Sequence, residues 1–128
     1  MNIRVLVVDD SSTMRRIITN VLIQIGISGD YITEAPDGLA AFGKVKTNSY
    51  DLILTDWNMP KMNGLQFVQN LRQLPKYKNI PVIMITTEGG KSEVLEALKN
   101  GVNNYIVKPF SQETLKSKLK LMLKKIDK

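Results

Sequence analysis

The stretch Ile3-Arg4-Val5-Leu6-Val7-Val8-Asp9-Asp10 (IRVLVVDD, residues 3–10) decides the fold. A β-branched apolar run of this length reads as a buried strand. It ends abruptly on two carboxylates, and Ser11 and Ser12 then offer helix N-caps. Met14, Ile17, Ile18, Val21, Leu22 and Ile25 follow at helical spacing, and Gly26 stops the pattern. A buried strand joined by a few polar residues to an amphipathic helix is one βα unit.

The same unit recurs along the chain. Tyr31–Ala35 reads as a strand, Pro36-Asp37-Gly38 as a turn, and Leu39, Phe42 and Val45 as a helix face. Leu52–Thr55 is a strand, followed by a helix on Leu65, Val68 and Leu71 that ends near Pro75. Pro81–Ile85 is a strand, followed by a helix on Val94, Leu95 and Leu98 closed by Asn100-Gly101. Tyr105–Val107 is the last strand, and Leu115, Leu119, Met122, Leu123 and Ile126 form the last helix face. Five apolar strands alternating with five amphipathic helices predict an α/β doubly wound parallel sheet covered on both faces. No linker, repeat or low-complexity segment interrupts it, so residues 1–128 are expected to form one domain without an attached output domain.

Composition limits the chemistry. The 128 residues contain no cysteine and no histidine. That excludes disulfides, thiolate or imidazole metal sites, and Cys or His catalysis. A metal here must rest on oxygen ligands. The net charge is +6, but six of the 18 basic residues are Lys116, Lys118, Lys120, Lys124, Lys125 and Lys128. Only Asp127 among the 12 acids lies in that tail, so the remainder is close to neutral. The lysines interleave with an apolar stripe and read as a solvated face whose stems cover the core edge. Their functional alternative is a basic face docking an anionic or amphipathic segment. No aromatic platform accompanies them, which disfavours direct nucleic-acid binding. The first apolar run is too short to span a membrane, so a cytoplasmic protein without membrane insertion is expected.

The strand ends carry the functional signal. The first strand ends in Asp9-Asp10, the third in Asp56, the fourth in Thr86-Thr87 and the fifth in Lys108-Pro109. Each residue alone is ordinary: strand-end Asp is commonly a turn former. Jointly, acid, acid, hydroxyl and amine reach the carboxyl ends of four of five strands, where open α/β sheets bind ligands. Clustered carboxylates repel unless a cation intervenes, and with these donors the natural cation is Mg²⁺. A carboxylate beside Mg²⁺ can attack phosphorus to form an acyl phosphate. Lys108 and the Thr86 hydroxyl would stabilise the transferred group.

The segments VVDDSSTMRR, LILTDWNMPKMNG, VIMITTEGG and NNYIVKPF together resemble the receiver domain of two-component response regulators. The resemblance spans essentially the whole chain, with the acids and the lysine at positions 10, 56 and 108. The single-domain chemotaxis members are the most similar. The resemblance implies the flavodoxin-like strand order 2-1-3-4-5, which the residues alone do not supply. It implies that Asp56 accepts phosphate from a phosphohistidine of a partner histidine kinase. Asp9, Asp10, Asp56 and the Asn58 main-chain carbonyl would hold Mg²⁺. Thr86 and Lys108 would bind the phosphoryl group, and Tyr105 would be the aromatic switch coupled to Thr86. Asn58 and Glu88 would tune hydrolysis of the acyl phosphate. The Lys108–Pro109 peptide would be cis.

A monomer that binds a flagellar motor switch protein when phosphorylated, with a phosphatase as a further partner, is the expected context. The surface of the fourth helix, fifth strand and fifth helix would read the signal. A phosphate sink or relay intermediate is the alternative within the family. A Mg²⁺-dependent phosphohydrolase is the alternative outside it, disfavoured because Asn58 stands where such enzymes carry a second Asp. Family members usually carry Ala or Gly at the position of Thr87, so this residue is expected to narrow access to Asp56 or the space open to Tyr105. Arg15 and Arg16, in the first turn of a helix, oppose its macrodipole by roughly 0.3–1 kcal/mol each. Either nearby acids offset them, or they meet a partner.

Overall fold

The computed structural model describes residues 2–126. Lys128 and Asp127 of the basic tail lie outside the described residues. Five parallel strands form one sheet: β1 (Val5–Val8), β2 (Ile32–Ala35), β3 (Leu52–Thr55), β4 (Val82–Thr86) and β5 (Asn104–Val107). Their order is β2-β1-β3-β4-β5, as the family resemblance implied. The helices are α1 (Ser12–Gln24), α2 (Gly38–Thr47), α3 (Gly64–Arg72), α4 (Lys91–Lys99) and α5 (Gln112–Ile126). Two short 3₁₀ turns, Gly29–Tyr31 and Pro75–Tyr77, precede β2 and β4 and have no counterpart in the sequence reading. Among the described residues no helix is long and apolar enough to cross a membrane.

Strand alternation divides the core into two layers. Val5, Val7, Leu52, Leu54, Ile83, Ile85 and Ile106 point to the side covered by α1 and α5. Leu6, Val8, Ile53, Val82 and Met84 point to the side covered by α2, α3 and α4. Every residue of β1, β3 and β4 is buried, as expected of inner strands in a sheet covered on both faces.

The helix faces need two corrections. In α4, Ala97 is fully buried, whereas Leu95 is 49% and Leu98 45% exposed. In α2, Ala41 and Val45 face the core and Leu39 is exposed. Both helices pack through small residues, so hydrophobic size does not mark their inner faces. The faces of α1 and α5 lie as the periodicity predicts, with Ile18, Val21 and Leu22 buried in α1 and Leu115, Leu119, Met122 and Leu123 in α5.

Local capping sets the elements below the functional edge. Ser11 caps α1 by accepting the Met14 N–H. Asn63 and Gln66 form a capping box at α3. Arg72, at the end of α3, is a half-buried cation bonded to neutral acceptors. Its guanidinium donates to the carbonyls of Tyr77 and Gly101 and to Asn103 Oδ1. It thereby ties α3 to the segments entering β4 and β5. Burial lowers its pKa. A hydrogen bond to a charged group contributes about 1.5–3 kcal/mol. Arg72→Ala should therefore lower stability by about 2–3 kcal/mol, read as a shift of the urea midpoint at unchanged slope. An unchanged midpoint would show that these carbonyls do not depend on Arg72.

Candidate functional site

The β1–β3 register sets Val8 opposite Thr55, so the residues that follow, Asp9 and Asp56, emerge side by side. The ladder continues one step further, with the Asp56 N–H donating to the Val8 carbonyl at 2.9 Å and the Asp9 N–H to the Ala35 carbonyl at 3.1 Å. Carboxylate oxygens of Asp9, Asp10 and Asp56 lie within 4.8 Å of one another. Asp9 and Asp56 are buried, and Asp10 is exposed.

Lys108 enters from β5. Its Nζ lies 2.8 Å from Asp9 Oδ2 and 3.0 Å from Asp56 Oδ2. The other Asp9 oxygen accepts the Ser11 N–H at 2.9 Å. Asp56 Oδ1 accepts the Trp57 N–H at 2.6 Å. The β4–β5 ladder positions the lysine, through its N–H to the Thr86 carbonyl at 2.8 Å. The Lys108–Pro109 peptide is cis, as expected.

The charges are unequally compensated. Burial pushes the Asp9 carboxyl above its ordinary range, and the bonds from Lys108 and Ser11 pull it back only in part. Burial alone would lower the Lys108 ammonium, but its bonds to Asp9 and Asp56 outweigh that and raise it. Lys108 is therefore held charged between two acids, while Asp10 makes no side-chain bond among the described residues. The donor set is entirely carboxylate and carbonyl oxygen, which fits a hard cation such as Mg²⁺. Asp10→Asn removes the uncompensated charge and should raise the melting temperature of the metal-free protein. A hundredfold excess of Mg²⁺ over its Kd should stabilise the wild type by about 2.7 kcal/mol. Equal melting with and without saturating Mg²⁺ would contradict a metal site here.

Two glycines let the Asp56 loop approach its surroundings. A Cβ on Gly64 would fall on the Asp56 carbonyl oxygen, and one on Gly38 would fall on that of Met62. The Gly64 N–H donates to the Trp57 carbonyl at 2.7 Å, and the Gly38 N–H to Met62 at 3.0 Å. Larger residues at either position would push this loop away.

Thr86, Glu88, Asn58 and Tyr105 form a second cluster beside the acids. The fully buried Thr86 hydroxyl accepts the Glu88 N–H at 3.3 Å. The Glu88 carboxylate accepts from Asn58 Nδ2 at 2.8 Å, joining the loops after β3 and β4. Tyr105 donates its hydroxyl proton to the Glu88 carbonyl. Its own carbonyl accepts from Lys118 of α5 at 3.0 Å. Thr87 is exposed and does not keep the Tyr105 ring from reaching Glu88. Burial first, then the charges of Glu88, Glu93 and Asp56, raise the Tyr105 pKa from 10.0 to about 12.

An acid whose folded pKa is raised contributes stability that is complete below the unfolded value and lost as pH rises. For Tyr105 that window runs from 10.0 to about 12. Tyr77 and Lys108 are also raised and act in the same direction. Tyr105→Phe should therefore make the alkaline loss of stability shallower without abolishing it. An alkaline profile identical to that of the wild type would contradict the assignment.

The sequence reading missed one neighbour of the acids. Arg15 Nη1 donates to the Asp9 carbonyl at 2.6 Å, and its Nε to Glu34 Oε1 at 2.9 Å. The nearby acid is thus present for Arg15, whereas Arg16 is exposed and in no ion pair among the described residues. Spacing along the chain gives no sign that Arg15 and Glu34 meet.

Comparison with known proteins agrees with this arrangement. The family profile of the response regulator receiver domain matches residues 5–120. The chain is 54% identical over 121 residues to chemotaxis protein CheY1 of Helicobacter pylori, covering 94% of this chain and 96% of that one. It is equally identical to a chemotaxis protein CheY homolog of Campylobacter jejuni, covering 94% of this chain and 92% of that one. Among solved structures, the chemotaxis response regulator CheY4 of Vibrio cholerae superposes with a TM-score of 0.86 at 35% identity, covering 94% and 98% of the two chains. A profile match over most of the length and relatives at this identity leave one conclusion: the chain belongs to the response regulator receiver domain family.

Proposed function

We propose that this protein is a phosphorylation-controlled signalling module of chemotaxis whose phosphoacceptor is Asp56. The observation that carries this is the convergence of Asp9, Asp10, Asp56 and Lys108 at one edge of the sheet. The donor is a phosphohistidine of a partner histidine kinase; this chain, with no histidine of its own, cannot supply one. Asp56 Oδ1 is held by the Trp57 N–H, so Oδ2, on the Lys108 side, is the attacking oxygen. The new bond joins Oδ2 to phosphorus. The P–N bond breaks, and the donor imidazole leaves with its electron pair.

Asp9, Asp10, Asp56 and the Asn58 main-chain carbonyl would hold Mg²⁺, which supplies positive charge to the phosphoryl oxygens. The Lys108 ammonium moves its bond from Asp56 to a phosphoryl oxygen. The Thr86 hydroxyl accepts a bond from Glu88, which leaves its own proton for the same group. When Thr86 turns toward the phosphoryl group, the Glu88 segment loses that anchor. Tyr105, bonded to the Glu88 carbonyl, senses the change and passes it to the α4–β5–α5 surface. Asn58 and Glu88, joined across the mouth of the site, govern access of the hydrolytic water.

The reader of that surface is a flagellar motor switch protein. Leu95, Val107 and Leu121 are exposed on its three elements, and α5 carries the lysines. The test has two parts. Mg²⁺ with acetyl phosphate should change the fluorescence of Trp57, which adjoins Asp56, in the wild type but not in Asp56→Asn. Capture of a motor switch protein only by the phosphorylated form supports the chemotaxis role. Capture of only a kinase or phosphotransfer protein would instead make the chain a phosphate sink.

A further inference from the structure

We infer that Arg15 is a positioning residue that presets the Asp10 carboxylate for metal binding, an inference that rests on the Mg²⁺ site proposed above. A peptide unit is planar, so the Asp9 carbonyl and the Asp10 N–H move as one rigid plate. The Arg15 guanidinium bonds that carbonyl at 2.6 Å. Its other arm is anchored on Glu34, at 2.9 Å, and its side chain is only 17% exposed. The residues on either side of Asp10 are fixed as well. The Asp9 N–H is tied to Ala35, both Asp9 carboxylate oxygens are engaged, and Ser11 caps α1. Asp10 is therefore a single residue stretched between two anchors, and Arg15 sets the plane from which it departs.

The location of Arg15 supports this role. A cation in the first turn of a helix opposes the macrodipole, and α1 has no acid in its first turn to offset it. Arg15 nevertheless occupies that place, half-buried, with two donor arms in use. The planar fork can meet Glu34 and the Asp9 carbonyl together, whereas a lysine head is a point donor. The Asp10 carboxylate makes no side-chain bond among the described residues, so its direction is set by its backbone, held by Arg15 on one side and Ser11 on the other.

Mg²⁺ affinity measured by titration calorimetry on the unphosphorylated protein separates positioning from charge. Losing a nearby positive charge by itself strengthens cation binding. Losing the orientation of a ligand weakens it, by about tenfold or more for residues that orient metal ligands. Arg15→Ala should raise the Mg²⁺ Kd by about tenfold. Arg16→Ala removes the same charge from the same turn and should leave Kd unchanged or lower. Arg15→Lys keeps the charge and should fall between the wild type and Arg15→Ala. It replaces Arg15→Ala in the comparison if the alanine variant does not fold. Equal shifts in Arg15→Ala and Arg16→Ala, or a wild-type Kd in Arg15→Lys, would overturn the inference while leaving the Mg²⁺ site intact. A wild type with no saturable Mg²⁺ binding would overturn the metal site itself and this inference with it.

Discussion

Lys108→Ala should destabilise the metal-free protein by about 3–5 kcal/mol, the cost of removing one partner of a buried ion pair. The magnitude belongs in this range because the lysine serves two acids at once. Asp9 and Asp56 side chains are 1% and 10% exposed, and Lys108 is the cation that bonds both. Without it, two carboxylates face each other and Asp10, and no other cation bonds either carboxylate among the described residues.

Two signatures distinguish this from a generic packing defect. The first is pH. Burial already raises the Asp9 carboxyl, so in the variant it takes up a proton more readily still. The difference between variant and wild type should shrink as pH falls through the raised carboxyl range. The second is metal: Mg²⁺ bound by the three acids should restore much of the loss, because it replaces the missing charge. Urea midpoints at neutral and acidic pH, with and without Mg²⁺, measure both. A loss insensitive to pH and to Mg²⁺ would mean that Lys108 acts through its methylene stem. The variant should also fail to respond to phosphorylation, because the same ammonium is assigned to the phosphoryl group.

Much of this site is legible before the fold is seen, because strand ends are easy to locate. IRVLVV, LILT and VIMIT are short apolar runs, and the polar residues that end them stand out. The parallel sheet brings those ends to one edge, so Asp9, Asp56, Thr86 and Lys108 follow from counting strands. The order of the strands does not follow from counting. It came with the family resemblance, and it is what makes β1 and β3 neighbours and sets Asp9 beside Asp56.

The helix faces were less legible. In α4 the buried residue is Ala97, between the exposed Leu95 and Leu98. Ala97 is the one fully buried residue of this helix, so α4 meets the core through a small side chain while its leucines stay on the outer surface. Hydrophobic periodicity weights leucine above alanine and so turns such a helix outward-in. The long-range side-chain bonds were not legible at all. Arg15 with Glu34, and Arg72 with Gly101 and Asn103, join residues whose proximity only the folded chain creates.

The proposal that Asp56, among three carboxylates, is the one that reacts is supported by its surroundings. Asp9 has both oxygens engaged, and burial favours its protonated form. Asp10 lies on the exposed side, and its carboxylate makes no side-chain bond among the described residues. Asp56 stands at the end of the central strand, between the acid pair on β1 and the Thr86 hydroxyl on β4. One of its oxygens is fixed by the Trp57 N–H and the other faces the Lys108 ammonium. That is the geometry of an oriented nucleophile with a cation beside the group it receives. Replacing Asp56 by Asn keeps an oxygen for the Trp57 N–H but removes the negative charge and the second oxygen. The fold should therefore survive while the reaction is lost completely.

Intact mass after incubation with Mg²⁺ and acetyl phosphate tests this directly. The wild type should gain one phosphoryl group, and should lose it again by hydrolysis once the donor is removed. Asp56→Asn should gain none under the same conditions. A wild type that stays unmodified, or an Asp56→Asn protein that acquires the same mass, would contradict the account.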